Sequence, residues 1–86
     1  MLAAKLVDNI WATRKIESLN GLKLMLAEVI EEVGEGQRLI VVDLIGAGIG
    51  DRVIICQGSS AGRIFEENVL PIDAAVIGII DDDCKF

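Results

Sequence analysis

The 86-residue sequence contains no histidine and no tyrosine, one proline, two cysteines and three aromatic side chains. Each shortage removes a class of function. A serine nucleophile needs a base, usually histidine, and none is present. Zinc sites need Cys and His ligands at close spacing, but the only candidates here are Cys56 and Cys84, far apart in the chain. Trp11, Phe65 and Phe86 are too few to build the stacking platforms of a single-strand binder. Basic residues are also scarce, 8 Lys plus Arg against 14 Asp plus Glu, for a net charge of -6. Such a chain repels phosphate backbones, so nucleic acid is not an expected partner. Long apolar runs are missing too. The most apolar window, Leu39 to Ile49, is too short for a bilayer and carries Asp43. The start, Met1-Leu2-Ala3-Ala4-Lys5, lacks the basic region and long apolar stretch of a secretory signal. The expectation is a cytoplasmic protein with no membrane partner.

What the sequence does have is apolar residues, 52% of the total, mostly Ile, Val, Leu and Ala. A chain this short forms one domain, residues 1–86, and buries a smaller share of its surface than a larger one does. Small domains often depend on an oligomeric partner. The apolar surplus is therefore expected to lie against another subunit.

The pattern is one of short strands separated by turns. Ala4 to Thr13 alternates, although Asp8 breaks one face, and the mixed faces suit a strongly curved sheet. Asn20-Gly21 is a turn dipeptide. A second strand covers Leu22 to Ile30, with helix as the alternative because Leu, Met, Ala and Glu favour it. Glu31 to Gln37 reads as an exposed hairpin loop leading into Arg38 to Leu44. Arg52 to Gln57 is a fourth strand. Gly58-Ser59-Ser60 begins a short helical piece, serine being a good N-cap. Pro71 stops any helix, and Ala74 to Ile80 is a fifth strand. The fold class is mainly β: a small five-stranded OB-like barrel with one short helical segment.

The run Gly46-Ala47-Gly48-Ile49-Gly50-Asp51 comes after an apolar strand, as a dinucleotide loop would. The third glycine comes one residue early, however, and Arg52-Val53-Ile54-Ile55-Cys56 reads as strand, not helix. Without a helix N-terminus a pyrophosphate loses its anchor, so no cofactor is expected. Three glycines in five residues instead suit positive φ or close backbone approach, which is useful between subunits. Ser59 and Ser60 lack a base, and turn and cap hydrogen bonds account for them. The acid runs Glu31-Glu32, Glu66-Glu67 and Asp81-Asp82-Asp83 read as solvated faces; no EF-hand spacing occurs. No catalytic, cofactor or metal residue is assigned, and the chain is not expected to be an enzyme. Asp43 is the unusual acid. In an apolar run it needs a hydrogen-bond or charge partner, either a backbone amide or an arginine. Asp73 is placed to cap the turn opening the last strand. Cys56 reads as a small buried hydrophobe, with a disulfide to Cys84 left open. Arg14 and Lys15 are too few for a phosphate patch and suggest a loop-tip or intersubunit ion pair.

Five segments occur in order: Trp11-Ala12-Thr13-Arg14-Lys15; Leu19-x-Gly21-x-Lys23-Leu24; Asp43-x-x-Gly46-Ala47-Gly48-x-Gly50-Asp51; Gly58-Ser59-Ser60-Ala61; and Asp73-Ala74-Ala75-Val76-Ile77-Gly78-Ile79-Ile80-Asp81. Together they resemble the EutN/CcmL family of microcompartment vertex proteins across nearly the whole chain. The resemblance implies a β-barrel protomer that forms a cyclic homopentamer. Such a pentamer would cap the vertices of a polyhedral shell in the bacterial cytoplasm, beside hexameric shell proteins. The alternative is an OB-like ligand- or nucleic-acid-binding module. The resemblance also implies that Gly46, Ala47, Gly48, Gly50 and Asp51, with Ser59 and Ser60, serve the subunit interface or the axial region. One departure stands out. The family pattern places Arg directly after the alanine of Gly-Ser-Ser-Ala, whereas Gly62 intervenes here before Arg63, so no role is carried over to Arg63.

Overall fold

Runs of Val, Ile, Leu and Ala broken by glycine turns give five strands, because β-branched side chains pack well on a pleated sheet. The computed structural model describes residues 1–64 and 71–85. The strands are β1 (Leu2–Ile10), β2 (Lys23–Val29), β3 (Arg38–Asp43), β4 (Arg52–Gln57) and β5 (Ala74–Ile79). They close into a barrel in the order β1-β2-β3-β5-β4. A single helical turn, α1 (Ser59–Gly62), comes after β4, and a 3-10 turn spans Glu17–Leu19. The mainly β, five-stranded barrel expected from the sequence is the fold observed. The helix alternative for Leu22 to Ile30 is overturned. Those residues pair with β1 on one side and β3 on the other, and two ladders outweigh a modest helix propensity. The sequence reading of residues 65–70 and Phe86 lies outside the described residues.

Four of the five seams are antiparallel. The fifth, β3 with β5, is parallel and short, joining only Val42 to Ala75 and Asp43 to Val76. The β2–β3 hairpin closes as expected. The Val29 amide donates to the Gln37 carbonyl (2.8 Å) and the Gly36 amide to the Val29 carbonyl (3.0 Å).

The mixed faces of β1 have a specific cause. Leu6 pairs with Ala27, but Asp8 pairs with Leu26, so Val7 is an extra residue. A bulge of this kind bends the strand and reverses which side chains face inward. Ala4 and Leu6 point into the core before it, and Asn9, opposite buried Met25, comes after it. Asp8 therefore does not break a face; it lies outside, past the bulge. β1 also starts earlier and stops earlier than its pattern implied. Leu2 gains a partner in Ile55, while pairing with β2 ends at Ile10 opposite Leu24.

The core is built from Ala4, Leu6, Met25, Ala27, Val41, Val53, Ile55 and Val76, all at most 1% exposed. Alanine and valine dominate because a five-stranded barrel has a narrow interior. In β2 the inward set is Met25, Ala27 and Val29, and the larger Leu24 and Leu26 are left half-buried on the outside. Much of the apolar surplus thus sits on the outer surface. Ile40, Ile45, Ile49, Ile54 and Ile79 are all exposed.

Candidate subunit interface

The loop between β3 and β4 is fixed by contacts within the protomer. Ala47 is 1% exposed and belongs to the core cluster, so it acts as a plug. Gly46 and Gly50 have φ of 82° and 95°, a region where a Cβ is disfavoured. The Gly50 amide donates to the Leu6 carbonyl (2.8 Å), and the Leu6 amide donates to the Asp51 carbonyl (3.0 Å). These two bonds carry the β1–β4 ladder past Lys5 and Arg52 into the loop. Asp51 closes a tight turn. Its Oδ2 accepts from the Gly48 amide (2.9 Å), and its own amide donates to the Gly48 carbonyl (3.1 Å). The strand β4 begins at once after it, as the spacing required.

Gly48 differs from its neighbours. Its φ is not positive, and an added Cβ would meet only Asp51 Oδ2 at 3.9 Å, an ordinary contact. Nothing among the described residues demands glycine there. Ile45 and Ile49, at 46% and 58% exposed, flank it and face outward. The sequence reading missed these two isoleucines. Their position in an apolar run disguised them as core, and only the loop geometry reveals their exposure.

Asp43 anchors the loop from below. It is 8% exposed, and its Oδ1 accepts from the Ile45 amide (3.1 Å). The backbone partner expected from the sequence is therefore present. The charge partner is a lysine of the same chain and not an arginine. Lys23 Nζ lies 3.2 Å from Asp43 Oδ2, in an ion pair without an aligned hydrogen bond, and it also donates to the Ala47 carbonyl. Lys23 thereby ties the start of β2 to the end of β3 and to the plug residue.

Ser59 and Ser60 open α1, as expected, after Gly58 with φ of 83°. Gly58 is held by its amide, which donates to the Asp73 carbonyl (2.7 Å). The contribution of Asp73 at this junction comes through its backbone; its side chain is exposed. The barrel does not bring the two candidate segments together. Asp51 and Ser59 stand at opposite ends of β4, on the order of 20 Å apart at strand rise. Cys56 is half-buried and Cys84 exposed, and both thiols are free.

Residues 1–81 match the family model described as ethanolamine utilisation protein EutN/carboxysome. The chain belongs to that family. Among its relatives, the bacterial microcompartment shell vertex protein GrpN of Rhodospirillum rubrum is 40% identical, with 94% of this chain and 93% of the relative aligned. The carboxysome shell vertex protein CcmL of Synechococcus elongatus is 35% identical, covering 94% and 84%. Among solved structures, the pentameric shell protein of the RMM microcompartment superposes with a TM-score of 0.88 at 40% identity, over 100% of this chain and 96% of that one. The EutN/CcmL resemblance seen in the ordered motifs is thus a family relationship over almost the full length. These relatives are named as shell or shell vertex proteins.

Proposed function

We propose that this chain is a structural vertex protein, whose cyclic homopentamer caps the corners of a bacterial microcompartment shell. The observation that carries this reading is full-length similarity to shell proteins described as pentameric. The physical case agrees with it. The protomer leaves isoleucines on its outer surface that a monomer has no reason to expose. Residues 1–86 act as one domain, and the chain catalyses nothing. In a flat layer of hexamers a five-fold unit introduces curvature, so hexameric shell proteins are the natural neighbours. The shell would sit in the bacterial cytoplasm.

Gly46, Ala47, Gly48, Gly50 and Asp51 form the axial end of the seam. Gly48 supports this assignment, because no contact among the described residues explains its glycine. Ser59 and Ser60, at the far end of β4, would serve a separate contact. Electron microscopy of shells assembled with and without this chain tests the role. Closed polyhedra are expected only when it is present. Closed shells of normal form in its absence would contradict a vertex function.

A further inference from the structure

A ring of identical protomers needs two unlike patches on each, one fitting the other on its neighbour. Two such patches lie at opposite ends of β1. Near its start is a broad hollow of about 530 Å³ on the outside of the barrel. Ala3, Ile54 and Ile79 line it together with the exposed acids Glu31, Asp81 and Asp83. Ile54 and Ile79 are 37% and 45% exposed. Glu31 is fixed there, since its Oε1 accepts from the Ala3 amide (2.9 Å). The hollow is thus apolar with an anionic border.

Past the other end of β1 runs the segment Trp11-Ala12-Thr13-Arg14-Lys15-Ile16. Trp11 is 88% exposed and Ile16 is 58% exposed. Arg14 and Lys15 are exposed and form no ion pair among the described residues. The backbone bends at Thr13 and Arg14, and Lys15 Nζ donates to the Ala12 carbonyl across that bend (3.0 Å). The segment is apolar and cationic where the hollow is apolar and anionic. In a chain of net charge -6, two adjacent cations beside an exposed tryptophan are distinctive. Ala3 and Trp11 are separated by the length of β1, roughly 25 Å at strand rise. A protomer therefore cannot fill its own hollow with its own arm, but a second copy can.

We infer that the arm from Trp11 to Ile16 of one protomer seats in the hollow lined by Ile54 and Ile79 of the next. Trp11 and Ile16 enter the apolar floor, and Arg14 and Lys15 meet Glu31 and Asp83 at the border. This inference rests on the ring reading above and names the two sides of its seam. Tryptophan is enriched among residues that dominate interface energy, and the charges set register and suppress wrong pairings.

The sequence contains a single tryptophan, so tryptophan emission reports on this position alone. Emission and acrylamide quenching are measured across a dilution series whose oligomer mass is tracked in parallel. In the ring, Trp11 is expected to emit at shorter wavelength and to be quenched severalfold less than in the dissociated protomer. A second arm uses charge reversal. Arg14→Asp with Lys15→Asp should abolish the ring at concentrations where the parent is assembled, with the protomer still folded by circular dichroism. Adding Glu31→Lys and Asp83→Lys to that variant should restore it. A ring in which Trp11 stays as accessible as in the protomer overturns this seam and leaves the pentamer standing, as does a ring indifferent to the arm reversal. A chain that never assembles overturns both.

Discussion

Two glycines of the β3–β4 loop, Gly46 and Gly50, have a positive φ, and Gly48 does not. Alanine at Gly50 would have open space around its Cβ but the wrong backbone basin. Gly50→Ala is expected to cost about 1–2 kcal/mol, read as a lowered midpoint in chemical denaturation of the protomer. A change under a few tenths would mean that the loop refolds around the new residue. Lys23 gives a second test at this scale. Its removal leaves the buried Asp43 Oδ2 without its cation, and Lys23→Ala is expected to destabilise by roughly 1–3 kcal/mol. Water reaches the half-exposed Lys23 site, which keeps the figure modest. Asp43→Asn in the Lys23→Ala background should recover part of the loss. If the double variant is as unstable as the single, the uncompensated charge was not the cause. The sequence flagged Asp43 as needing a partner, and a backbone amide was one of the two kinds that burial of its carboxylate called for. The lysine was not legible. Position 23 and position 43 become neighbours only through the β2–β3 register, which sequence spacing alone does not specify.

Among the strands, turn residues marked most boundaries well. Asn20-Gly21 precedes β2, the Gly34 and Gly36 loop precedes β3, and Gly58 ends β4. The face that each strand buries was less legible. β2 alternates two apolar sets, and its leucines look like the core while Met25, Ala27 and Val29 are the residues buried. Alternation fixes a period but not a phase when both faces are apolar. The bulge at Val7 hid the phase of β1 in the same way. The 3-10 turn at Glu17–Leu19 escaped because three residues, two of them polar, carry no periodic signal. The topology carries its own expectation. The β3–β5 seam has two paired positions, whereas β1–β2 has six and β2–β3 has six. In hydrogen exchange on a dissociated protomer, amides of β5 facing β3 should exchange before those of the β1–β2 ladder. Uniform protection around the barrel would contradict a weak parallel seam.

For the whole molecule, composition had already posed the question that the fold answers. An 86-residue chain with 52% apolar residues fills a narrow barrel with small side chains and leaves isoleucines outside. The ordered motifs, more than any one of them, pointed to a shell vertex protein, and the family relationship runs with them along the chain. What the sequence could not supply was the separation of Asp51 from Ser59 and the outward aim of Ile45 and Ile49. Gly48→Trp separates assembly from folding. A Cβ at Gly48 makes only an ordinary contact with Asp51 Oδ2 and the backbone there is not in the left-handed region, so the protomer is expected to stay folded by circular dichroism, while the ring weakens at least tenfold in concentration dependence, about 1.4 kcal/mol or more. A ring that survives this substitution unchanged would remove the loop from the axis.

The central claim is that the chain works as a closed ring of five. Native mass spectrometry of the purified protein at micromolar concentration measures this directly. The expected result is a single dominant species at five times the 9.2 kDa protomer mass, which dissociates without passing through a stable dimer. A stable monomer, or a dominant assembly of any other number, would contradict it.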